Sequence, residues 1–71
     1  MNVYVVRKIE LPNRRLSFVE YLEAYNKAER VYCKGMKEVE EFVGGKLHRC
    51  RAGYEGIIGN TEYVAEKCYS I

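Results

Sequence analysis

The chain has no Asp, no Gln and no Trp, and it carries one Pro and one His in 71 residues. With a single His and no Asp, a triad or acid–base pair would have to be assembled from Glu, Tyr and Cys alone. No Ser or Cys has a recognisable base nearby in sequence, so we expect no catalytic residue. A small enzyme subunit is the least favoured class. No run approaches the ~18 apolar residues of a membrane span. Met1 to Leu11 is apolar for only a few residues and then charged, unlike a signal peptide. The expectation is a cytoplasmic protein with no membrane partner. Three Cys without close pairs then read as reduced thiols.

Metal and phosphate motifs are also missing. Cys33, His48, Cys50 and Cys68 are the four residues that could make up a zinc set, but the C-x-x-C knuckle usual in structural sites is absent. Gly53, Gly56 and Gly59 share only their spacing with a phosphate loop, since no Lys-Ser or Lys-Thr pair follows them. They read better as turn glycines. We expect no metal and no cofactor.

What is present suits one small domain, residues 1–71, near the size at which a single core is marginal. Twelve basic residues face ten acids, all Glu, for a net charge of +2, too little to imply nucleic acid by itself. Seven Tyr offer large, fairly rigid surface with a polar tip, which serves interfaces as well as cores.

The segment Ser17 to Gly45 reads as one amphipathic helix. Ser17-Phe18-Val19-Glu20 has the pattern of a capping box, and Gly44-Gly45 supplies a left-handed terminus. Phe18, Tyr21, Leu22, Tyr25, Ala28, Tyr32, Met36, Val39 and Val43 recur at three and four, and the stripe keeps its phase through Gly35. Gly35 costs about 1 kcal/mol relative to Ala inside a helix and is the obvious place for a break. A helix of about 26 residues is about 39 Å long, whereas a compact domain of this size is roughly 29 Å across. Either it breaks near Gly35, or a second copy or a partner covers part of the stripe. A homodimer through Tyr32, Met36, Val39, Phe42 and Val43 is the expectation.

Before the helix, Val3, Val5, Ile9 and Leu11 alternate with Tyr4, Val6, Lys8 and Glu10 as in a half-buried strand, with Arg7 a misfit on the inner side. After it, Lys46 to Arg51 can form a strand. Gly59-Asn60 suits a hairpin turn. From Thr61, Tyr63, Ala65, Tyr69 and Ile71 alternate with Glu62, Val64, Glu66, Cys68 and Ser70, with Lys67 the exception. Thr61 could instead cap a last helix. The fold class is α+β: a small antiparallel sheet in β-α-β-β order packed against one long amphipathic helix, with one sheet face left for another molecule.

The remaining signal is basic. Lys46, His48, Arg49 and Arg51 fall within six residues with Tyr54 just beyond, and Arg14 and Arg15 sit before the helix. Together with Tyr63 as an aromatic anchor, these are the candidate partner-binding residues. The reading is a small non-enzymatic intracellular binding protein, a regulator, inhibitor or adaptor of the sort viral and mobile-element genomes encode, acting on a protein partner. The alternative is nucleic-acid binding through the Lys46/Arg49/Arg51 strand.

Overall fold

The computed structural model describes residues 2–51 and 53–69, with the backbone alone described for Asn2 and Tyr69. In chain order the elements are β1 (Asn2–Glu10), α1 (Phe18–Lys27), β2 (Glu29–Cys33), α2 (Met36–Val43), β3 (His48–Cys50), β4 (Gly53–Ile58) and β5 (Thr61–Tyr69). The strands form one sheet in the order β2-β1-β5-β4-β3. Every neighbouring pair is antiparallel. The class is α+β with a five-stranded antiparallel sheet and two helices, rather than a β-α-β-β chain around one long helix.

The long helix is interrupted by a strand. Its first end is as expected: the Ser17 hydroxyl accepts from the Glu20 amide at 3.2 Å and the Glu20 carboxylate accepts from the Ser17 amide at 3.1 Å. Its far end is also as expected, with Gly44 left-handed at φ 79°. Between them, Ala28 turns to extended backbone and Glu29–Cys33 pairs with β1, Val31 opposite Val6 and Cys33 opposite Tyr4. A continuous helix would have left β1 as the outer strand, with one full row of backbone groups unpaired. Gly35 is then the N-cap of α2, with extended φ and ψ of −175° and 172°.

The two helices lie on opposite faces, because alternate residues of β1 and β5 meet different helices. On one face α2 packs Val39 and Val43 with Val6, Cys33, Tyr63 and Ala65, and Met36, Val31, Leu47, Tyr54 and Ile58 close around them. Val6 and Val39 are fully buried, each worth roughly 1.5–3 kcal/mol over an exposed position. The expected dimer residues Met36, Val39 and Val43 are thus packed inside the domain. Phe42 sits edge-on to Tyr63, with ring centroids 6.1 Å apart. Only Tyr32 of that set is largely exposed.

On the other face, α1 lies across the strands. Tyr21 reaches Glu62 of β5, and Tyr25 meets Arg7 of β1 and Glu66 of β5. The expectation of one face without a helix is therefore overturned. Arg7, the misfit in the β1 alternation, is accommodated here. It donates to Glu66 at 2.5 Å and to the Tyr25 hydroxyl at 2.9 Å, and its guanidinium lies 4.3 Å from the Tyr25 ring centre. Ile9 and Val64 are buried on this face.

Residues 61–69 form a strand rather than a capped helix, and Gly59-Asn60 closes the β4–β5 hairpin between Ile58 and Thr61. Ser70 and Ile71, also expected in that strand, lie outside the described residues. Gly53 and Gly56 sit within β4 rather than in a loop. Gly53 has φ 151°, and a Cβ there would collide with the Ala65 carbonyl oxygen, so no side chain fits. Among the described residues no helix is long and apolar enough to cross a membrane.

Candidate functional site

Two surfaces stand out. The first is the outer side of α1. The helix is anchored to the sheet chiefly by the tyrosine contacts, and none of its residues is fully buried. Phe18, Val19 and Leu22 are 75%, 63% and 42% exposed. Tyr21 and Tyr25 point at the sheet, while Ala24 and Ala28 line a hollow with Lys8, Ile9, Glu10 and Glu29. By helical phase Phe18 and Leu22 therefore leave on the opposite flank. Tyr32, on the edge strand β2 and on this same face of the sheet, is 69% exposed.

Electrostatics fix the start of this helix. Arg14 donates to both carboxylate oxygens of Glu20, at 3.2 Å through Nη1 and more closely through Nη2. The Arg14 guanidinium, then the Ser17 amide and hydroxyl, pull the Glu20 carboxyl down to about 2. The Tyr21 hydroxyl donates to Glu62 at 2.7 Å. Burial first, and then the carboxylate of Glu62, push its ionisation well above the ordinary range.

The second surface lies on the α2 side of the sheet, at the end where β3, β4, β5 and the start of β1 come together. Tyr4, Arg49, Cys50, Arg51, Gly53, Tyr54 and Lys67 line a hollow of about 210 Å³. Register places them: Arg49 is opposite Tyr54, and Lys67 is opposite Tyr4. Tyr4 and Tyr54 meet edge to face at 6.1 Å. Among the described residues the wall contains three cations and no carboxylate. Among the described residues, Arg49 and Arg51 make no ion pair.

The expected binding residues are thus divided. Arg49, Arg51 and Tyr54 share the hollow. Lys46 lines a separate depression with Lys37, Glu40, Glu41 and Gly45. His48 points to the other face, 3.5 Å from Glu55. Arg14 is committed to Glu20, Arg15 is exposed in the loop before α1, and Tyr63 is buried under Phe42. Tyr4 and Lys67 complete the hollow, and sequence reasoning misses both; the one signal is that Lys67 breaks its strand's alternation. Sequence periodicity assigns Phe18 and Leu22 to the core, and it leaves Val19 unremarked.

Cys33 is buried in the α2-side core, and burial, with Glu38 nearby, raises its thiol pKa. Cys33, Cys50 and Cys68 are all unpaired thiols. Among the described residues no cluster of His, Cys, Asp and Glu could hold a metal ion. Comparison with protein-family models, curated proteins and solved structures finds no match for this chain.

Proposed function

We propose that this protein works by binding another protein, as a small intracellular regulator rather than an enzyme, and that α1 is its docking element. The observation that carries the proposal is the exposure of Phe18, Val19 and Leu22 together on one helix. Burying large apolar groups is the main drive of association, and clusters of them on a surface mark interaction sites. The Arg14–Glu20 pair and the capping box hold the helix start in place before any partner arrives, which lowers the ordering cost of binding. The three unpaired thiols suit a reducing compartment.

A homodimer is part of the proposal; Tyr32 stays from the expected interface, and Phe18 and Leu22 take the place of Met36, Val39 and Val43, which pack inside the domain. Phe18, Leu22 and Tyr32 of two copies, related by a two-fold axis, would cover one another. Light scattering at high micromolar concentration should give twice the chain mass for the native protein. A Phe18→Glu/Leu22→Glu variant should give the monomer mass and still melt cooperatively, at a lower temperature because the association no longer adds stability. A native monomer would remove the homodimer. For a different partner, the same variant used as bait should lose a protein that the native bait retains, and the loss should persist with purified components. A variant that keeps both its mass and its partner would overturn the docking role of α1.

A further inference from the structure

The hollow at the joined ends of β1, β3, β4 and β5 has a composition that protein docking through α1 does not require. We propose that it is a site for one nucleotide unit of a single-stranded nucleic acid, with the phosphate held by Arg49 and Arg51 and the base placed against Tyr54 and Tyr4.

The argument starts from charge. The molecule's net charge is only +2, and its carboxylates are spread through the sequence. Among the described residues, Arg49, Arg51 and Lys67 nevertheless line one wall on which no carboxylate lies. The acids nearest in register, Glu55 and Glu66, point to the opposite face, where they take up His48 and Arg7. A concave wall lined by one sign of charge concentrates ions of the other sign. Arginine matches a phosphate with two parallel donors, so Arg49 and Arg51 favour phosphate over a simple halide.

Size and aromaticity narrow the ligand. At about 210 Å³ the hollow is smaller than the roughly 300–1,000 Å³ typical of small-molecule sites. It therefore suits one phosphate and its attached ring, not an extended dinucleotide cofactor. Tyrosines beside cations form the platform on which unpaired bases stack. A base paired within a duplex has no free face to offer Tyr54. This site and the outer side of α1 are on opposite faces of the sheet, so either proposal can fail alone.

The test is fluorescence anisotropy with a labelled eight-nucleotide single strand, its duplex form, and unlabelled nucleoside monophosphate and inorganic phosphate as competitors. Binding of the single strand is expected at low micromolar concentration in 50 mM salt, at least about tenfold tighter than the duplex. Arg49→Ala/Arg51→Ala should weaken it at least tenfold and lower the slope of log K against log salt by about 1.4. Both residues are exposed, so this variant should fold, which a melting curve checks. Arg30→Ala/Lys34→Ala, which removes as much charge at the far edge of the sheet, should change affinity little. Nucleoside monophosphate should compete far better than inorganic phosphate. The proposal is overturned by no binding at tens of micromolar, by equal loss in the two double variants, by a preference for duplex, or by equal competition from inorganic phosphate.

Discussion

Substitutions at Gly35 give opposite stability orders for an N-cap and for a helix interior. Gly35 precedes α2 in extended conformation, and its carbonyl accepts the first helical bond, from Val39 at 3.1 Å. Glu38 already reaches back to the Lys34 amide at 2.9 Å, but no side chain caps the helix from position 35. Gly35→Ser supplies that missing acceptor. Nothing lies within 4 Å of a Cβ at this position, so no clash enters the comparison. At an N-cap, Ser exceeds Ala by about 1 kcal/mol. Ser also exceeds Gly by a few tenths from capping, with about 0.4–1 kcal/mol more from the restricted unfolded chain. For Ala the same unfolded-state gain is offset by its poor capping, so it should stay close to Gly. The expected order is Ser above Ala, with Ala near Gly. Inside a continuous helix, Ala would lead, Ser would follow by up to about 0.7 kcal/mol, and Gly would come last, about 1 kcal/mol below Ala. Thermal unfolding followed by circular dichroism resolves this, since 1 kcal/mol moves the midpoint by about 4–8 °C in a domain of this size. An Ala variant more stable than the Ser variant would refute the strand between α1 and α2.

Replacing Arg7 with Met should cost about 2 kcal/mol in urea unfolding, because the half-buried Glu66 and Tyr25 lose their cation. Adding Glu66→Leu should recover part of that loss, and an unchanged midpoint in the single variant would count against the ion pair. Glu20 should titrate near 2 by carbon-detected NMR and return toward 4.5 in Arg14→Ala. A lowered carboxyl pKa stabilises the fold above the unfolded value, so the start of α1 should loosen as pH falls from about 4.5 toward 2. Tyr21 should stay protonated above the ordinary tyrosine pKa of 10.0, which its ring signals in an NMR titration would report. Its raised pKa gives stability that is complete below pH 10 and declines above it, whereas Tyr21→Phe should lose that high-pH decline.

Features written in adjacent residues were legible. The capping box at Ser17, the terminus at Gly44, the Gly59-Asn60 hairpin and the alternation of β1 and β5 each depend on a few neighbouring side chains. Residues 28–35 were not, because two periods fit them. Tyr25, Ala28, Tyr32 and Met36 continue a helical stripe, while Val31 and Cys33 alternate with Arg30 and Tyr32 as in a strand. The open edge of β1 decides between them, and that edge lies more than twenty residues away in the chain. Splitting the helix also placed α1 and α2 on different faces, which turned Phe18 and Leu22 outward and Val39 and Val43 inward. The binding hollow was half legible: Arg49, Arg51 and Tyr54 are close in sequence, but Tyr4 and Lys67 join them only through the β1–β5 register. Arg7 and Lys67 each broke the alternation of a strand. One became half of an ion pair, and the other part of a basic wall.

The pairing of β1 with β5, from Asn2 opposite Tyr69 to Glu10 opposite Thr61, has a consequence for how the molecule is made. The central ladder joins β1 to a strand that begins only at Thr61, so the sheet cannot close until β5 has left the ribosome. Until then β1 offers one bare edge, on the side away from β2, at which a neighbouring nascent chain can pair in place of β5. Contacts so distant along the chain slow the search for the native arrangement. A circular permutant that opens the chain between Gly59 and Asn60 and bridges residues 69 and 2 with a short linker would make the central ladder a local hairpin. Its refolding should be faster than that of the native order, with the same side chains meeting in the finished sheet.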